Sequence, residues 1–165
     1  MNTRIMAVAL GVVGVACAMV VGMSEPESRR LEAGGLEEIV LDAEFHHLGD
    51  NFIGSWAIPD PEGTSLEITF LLNQGQIQRA KTAHLEFFLL QNDWCNLIVN
   101  GRRWSLPETH LTSSSFGLDI AAKTLFSIPT SILNMGLNSI IFESTQHNRN
   151  YDDFEFGEVV LLLNQ

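Results

Sequence analysis

Three tryptophans, Trp56, Trp94 and Trp104, are the residues of this 165-residue chain best suited to grip a ligand. An exposed indole offers an apolar face on which the hydrophobic side of a sugar ring can lie, while planar donors and amides bind the hydroxyls. Such partners stand nearby in sequence. Arg102 and Arg103 precede Trp104, and Gln146-His147-Asn148-Arg149-Asn150-Tyr151 is a run of hydroxyl-binding groups ending in the single tyrosine. Trp56, Trp94, Arg103, Trp104, His147, Arg149 and Tyr151 are therefore the candidate ligand-binding residues. The competing reading puts at least one tryptophan in the core and leaves the polar loop merely solvated.

Chemistry beyond binding is thin. The chain has no G-x-S-x-G, no H-E-x-x-H, no C-x-x-C and no phosphate-cradling glycine loop. Cys95, next to Trp94 at a strand start, reads as an inert, half-buried thiol. His46 and His47 are adjacent, and neighbours on a strand point to opposite faces, which argues against a shared metal. A glycosidase needs two carboxylates roughly 5–10 Å apart, and nothing in the spacing of the acids picks out such a pair. The expected protein is a non-catalytic binding module.

The charge balance narrows the partners. Nine Lys and Arg against 20 Asp and Glu give a net charge of −11, which repels a phosphate backbone and excludes nucleic acid as a partner. Only Cys17 and Cys95 are cysteines, so a disulfide framework is not the source of stability. The N-terminus carries a separate signal: MNTR precedes an uncharged apolar run over residues 5–23. Such a run reads as a cleaved signal peptide, a retained membrane anchor of helical form, or a lipidated leader with Cys17 as acceptor. All three place the remainder outside the cytoplasm, and any membrane contact runs through this segment alone. Residues 24–35, SEPESRRLEAGG, read as a flexible spacer, and the folded domain as residues 36–165.

The elements that must position these side chains are strands. Leu66, Ile68, Phe70 and Leu72 alternate with less apolar neighbours, as do Leu85, Phe87 and Leu89. Leu97 and Val99 lead into Asn100-Gly101, whose residues tolerate the positive φ that a two-residue type I′ hairpin requires. That turn sets Val99 opposite Arg102 and puts Arg103 and Trp104 on opposite faces. Residues 137–144 and 154–163 make two further strands, and residues 36–45 and 125–128 are weaker ones. Residues 129–133, PTSIL, suit a single helical turn, and Leu133, Met135 and Leu137 are placed as a plug at one end. Phe87 and Ile140 are predicted core residues. Seven or eight such strands imply an all-β antiparallel sandwich or jelly roll.

Three stretches together, Val99-Asn100-Gly101, then Ile128-Pro129, Leu133, Gly136 and Asn138, then Asp152-Asp153, resemble a known pattern. It is that of the galactose-binding-domain-like jelly rolls that accompany glycoside hydrolases and polysaccharide lyases. The resemblance implies a fold and a role, a non-catalytic carbohydrate-binding module with a glycan or polysaccharide as ligand. It also implies a structural calcium between an early and the last strand, with Asp42, Glu44 and Asp153 as candidate ligands of a kind hard cations favour. The rival is a structural or interaction module pairing with another envelope protein through a sheet face.

Overall fold

A computed structural model describes residues 28–31, 35–54, 56, 58–90, 93–108 and 122–165. The apolar run at residues 5–23, and the helix expected there, lie outside the described residues. Eleven strands are present among those described: β1 (Ser28–Leu31), β2 (Leu36–Leu48), β3 (Ser65–Leu72), β4 (Thr82–Leu90), β5 (Cys95–Val99), β6 (Arg102–Ser105), β7 (Ala122–Ile128), β8 (Gly136–Ser144), β9 (Gln146–His147), β10 (Asn150–Tyr151) and β11 (Phe154–Asn164). A five-stranded sheet runs β1-β2-β11-β4-β7 and a four-stranded sheet runs β3-β8-β5-β6. Every pairing is antiparallel. The protein is an antiparallel β-sandwich.

The alternation that marks the strands also makes the core. Leu85, Phe87 and Leu89 on β4, Phe156, Leu161 and Leu163 on β11, and Ile140 and Phe142 on β8 are all fully buried. Aromatic rings bridge the two sheets: Phe87 meets Phe142 edge-on at 5.2 Å, and Phe142 stacks on Phe156 at 3.9 Å. β11 lies between β2 and β4 at the middle of its sheet. That position explains why its end is apolar on both faces: Val160 and Leu162 are half-buried on the outer side.

The hairpin forms as its sequence dictates. Asn100 and Gly101 take φ of 46° and 80°, and Val99 pairs with Arg102. The Asn100 side chain then reaches the other motif. Its Nδ2 donates to the Ile132 carbonyl and to Asn138 Oδ1, both at 2.7 Å, and its Oδ1 accepts from Ser139 N at 2.9 Å. Asn138, buried, in turn accepts from Asn134 N and donates to the Asn134 and Gly136 carbonyls. Gly136 has φ of +92°, the reversal that starts β8. Two asparagines distant in sequence thus knot one end of the sandwich.

Two local expectations, the spacer and the three-residue plug, are corrected, while the helical turn at residues 129–133 forms and one short helix is added. Part of the presumed spacer is strand, since Ser28–Leu31 pairs as β1 with the first residues of β2. A helix α1 (Gln74–Arg79) stands between β3 and β4. It is too short for periodicity to betray, and a capping box sets its start: Asn73 Oδ1 accepts from Gln76 N, and Gln76 Oε1 accepts from Asn73 N. The PTSIL stretch is a 3₁₀ turn, Thr130–Ile132, behind Pro129. Leu133 does plug the core, but Met135 and Leu137 are 67% and 57% exposed. Leu137 sits on the outward phase of β8, opposite Leu71 on the sheet's outer face.

β2 reads weakly in the sequence because buried polar residues interrupt its alternation. His46 is held between two carboxylates, Nδ1 to Glu62 Oε2 at 2.7 Å and Nε2 to Asp42 Oδ2 at 3.1 Å. Burial alone would lower its basicity, but the hydrogen bonds and charges of Glu62 and Asp42 outweigh that and raise its pKa above the ordinary 6.5. A raised folded value means a contribution to stability that is complete below pH 6.5 and lost as pH rises through the folded value. Melting temperature is therefore expected to fall on going from pH 6 to about pH 8–9, and a His46→Gln variant should flatten that slope. An equal slope in the variant would remove His46 as its origin.

Candidate ligand-binding cleft

One end of the sandwich gathers the β2–β3 connection, the residues before β5 and the β8–β11 connection. There β8 is prolonged into a small hairpin, β9 against β10, with His147 opposite Asn150 and Asn148 and Arg149 at positive φ in the turn. His147 stacks on Trp94, ring centroids 4.3 Å apart and 25° from parallel. Thr145 pins the loop beneath, its N–H and its hydroxyl both donating to the Trp94 carbonyl. The indole remains 47% exposed. Trp94 is thus held from below and from one side, yet open to solvent.

Beside it lies a cleft of about 260 Å³ lined by Ile53, Asp93, Trp94, His147, Asn150, Tyr151, Asp152 and Asp153. The two aspartates before β11 build its floor. Asp152 Oδ2 accepts from the backbone N–H groups of Asp93 and Trp94 at 3.0 and 2.8 Å, which fixes the tryptophan's backbone. Asp153 Oδ1 accepts from Asp50 N and Asn51 N at 3.0 and 2.9 Å, which fixes the opposite loop. Gly49 makes that approach possible, because a Cβ there would lie 1.9 Å from Asp153 Oδ1. Burial raises the Asp152 pKa above its ordinary value; the two N–H donors oppose the shift and the charges of Asp93 and Asp153 add to it.

Of the candidate ligand-binding residues, Trp94, His147 and Tyr151 converge on this cleft. The others do not. Trp56 is 6% exposed and packs edge-on against buried His47 at 4.6 Å, so it is a core residue. Trp104 is half-buried on the β6 edge, edge-on to Phe126 at 5.9 Å, with the Arg102 guanidinium 5.2 Å over its ring. Arg102 shares its face with Val99 and escapes the core by lying across that indole. Arg103 points from the outer face of the four-stranded sheet and pairs with Glu143 at 2.8 Å. Arg149 sits on the β9–β10 turn and is not among the lining residues. Ile53 and Asp93 went unnoticed in the sequence, because only folding brings three separate connections together.

The calcium expectation is not met by the residues proposed for it. Asp42 pairs along β2 with Val159, whereas Asp153 precedes the Leu48–Phe154 pair. At ~3.3 Å per strand residue these positions stand roughly 20 Å apart. Asp42 is committed to Glu44 N and His46, and Asp153 to its loop. Among the described residues, no group of three or more His, Cys, Asp or Glu side chains could hold a metal ion. Cys95 is buried, and burial, with the charge of Asp152 added, pushes its thiol far above the range in which a nucleophile forms.

No protein-family model matches the chain, and neither does any curated protein. Several solved structures are similar, two of them as follows. One is an exo-beta-1,3-galactanase from Phanerochaete chrysosporium with galactose, at 15% identity and a TM-score of 0.37, over 84% of this chain and 29% of the galactanase. The other is a family 35 carbohydrate binding module from an environmental isolate, at 15% identity and a TM-score of 0.36, over 76% of this chain and 92% of the module. The chain thus spans under a third of the galactanase. With its two antiparallel sheets tied at one end by the Asn100–Asn138 contact, the protein is an all-β antiparallel sandwich.

Proposed function

We propose that the protein is a non-catalytic carbohydrate-binding module whose site is the Trp94 cleft. The carrying observation is the half-exposed Trp94, fixed by Asp152 and Thr145, stacked on His147 and open onto a cleft of about 260 Å³. A volume just below the roughly 300–1,000 Å³ of typical small-molecule sites suits one sugar ring at a chain end better than a long segment. Tyr151, Asn150 and the carboxylates supply hydroxyl partners around the aromatic platform. Positioning outside the cytoplasm, as the N-terminal run implies, would give such a module access to polysaccharide. Screening the protein against immobilised glycans, with Trp94→Ala alongside Trp104→Ala, tests this. Binding should vanish in Trp94→Ala with unchanged melting, and persist in Trp104→Ala; a screen with no glycan bound, or binding that depends on Trp104 instead, sinks the proposal.

A second reading draws on the outer face of the five-stranded sheet. Val40, Val160, Glu86 and Leu125 form one cross-strand row, with Phe45 and Phe88 6.1 Å apart in the next. Val40 and Leu125 are exposed, and an apolar face of this kind suits a protein partner. Under that reading Leu125→Glu, not Trp94→Ala, would remove the association.

A further inference from the structure

The cleft's charge says more than that a sugar fits. Three of its eight lining residues are carboxylates, Asp93, Asp152 and Asp153, and none is Lys or Arg. Asp153 spends both oxygens on the opposite loop, Oδ1 on two backbone N–H groups and Oδ2 on the Asn51 amide. Asp152 differs. Its Oδ2 takes both of the N–H groups it receives, and its Oδ1 has no hydrogen-bond partner among the described residues. That oxygen belongs to a half-buried carboxylate beside an open indole. An unpaired anionic acceptor next to an aromatic face is the arrangement that a compact ammonium group satisfies twice, through a charge-assisted hydrogen bond and through the ring's negative face.

We infer that the glycan is a cationic one, a hexosamine with a free, protonated amine, whose ring lies on Trp94 and whose ammonium pairs with Asp152. This rests on the Trp94 cleft being a glycan site. Uronate and sulfated sugars are rejected by the same carboxylates, and the net charge of −11 adds long-range repulsion. Neutral sugars retain the stacking alone. The partly desolvated state of Asp152, which burial and its acidic neighbours hold above the usual pKa, makes a cation more welcome than it would be at a solvated surface. Binding the ammonium favours the ionised carboxylate, so affinity rises with pH as Asp152 loses its proton.

The test titrates the protein with a β-1,4-linked glucosamine tetrasaccharide, its fully N-acetylated counterpart and a tetragalacturonate, by calorimetry at low salt. The free-amine sugar is expected to bind about tenfold or more tighter than the N-acetylated one, as a charge-assisted contact predicts, and the uronate not measurably. Asp152→Asn keeps the acceptor for the Trp94 and Asp93 N–H groups and should collapse that ratio towards one. Should that variant lose its fold, the wild-type protein alone decides: affinity for the free-amine sugar must rise between pH 4 and 6 relative to the N-acetylated one. Equal affinity for the two tetrasaccharides overturns the cationic class and leaves the glycan site standing. Tighter binding of the uronate overturns it outright. No binding of any of the three, and none in the wider glycan screen, removes the site itself.

Discussion

Replacing Phe87 with alanine will cost the sandwich about 3–5 kcal/mol, a large share of the roughly 5–15 kcal/mol by which such domains are stable. Phe87 is fully buried at the centre of β4 and projects across the interior to Phe142, which itself stacks on Phe156. Removing it deletes apolar burial, opens a cavity in the layer that joins the sheets and breaks an edge-to-face pair. Neighbours cannot collapse into the space, because the backbones on both sides are fixed by ladders, β11 and β7 flanking β4. Chemical denaturation should give a midpoint lowered accordingly with an unchanged slope. An unchanged midpoint would mean that the ring is not part of the cross-sheet stack.

The second large effect lies at the asparagine knot. Asn138→Ala strips partners from Asn134 N, the Asn134 and Gly136 carbonyls and the Asn100 amide. Buried polar groups left unpaired cost ~1–3 kcal/mol each. Water can re-enter at this end of the sandwich, so the expected loss is about 3 kcal/mol rather than the full sum. Asn138→Asp should cost at least as much, since it keeps the oxygen that accepts from Asn134 N and Asn100 but sets a second, non-donating oxygen against the Asn134 and Gly136 carbonyls. Hydrogen exchange should show the Asn100–Gly101 turn and the first residues of β8 opening together in the alanine variant. If only β8 changes, the two motifs are not coupled through this contact.

How far the sequence carried depended on whether a residue's surroundings were local. Period-two alternation located β3, β4 and β8, and Asn100-Gly101 located the hairpin, because pleat and turn chemistry act over a few neighbours. Phe87 and Ile140 followed from the same phase and are fully buried. The positions of the V-N-G and G-x-N motifs were visible, but not that Asn100 and Asn138 bond to each other. β2 was obscured by His46, His47 and Glu37, polar residues that are buried because Glu62, Ile58 and Gln76 come from elsewhere to meet them. The site was legible as residue types only. Trp56, Trp94 and Trp104 are equivalent in sequence, and their different fates rest on His47, His147 and Phe126 respectively.

That difference gives the most direct measurement. The three indole N–H groups of Trp56, Trp94 and Trp104 report on the core, the cleft and the β6 edge in a single two-dimensional NMR spectrum. Each is assigned by a Trp→Phe variant. Titration with the oligosaccharide bound most tightly in the glycan screen should move the Trp94 signal progressively to saturation, while those of Trp56 and Trp104 stay in place. A saturable shift of the Trp104 signal with Trp94 unmoved, or no indole shift with any glycan, would contradict a carbohydrate site in this cleft.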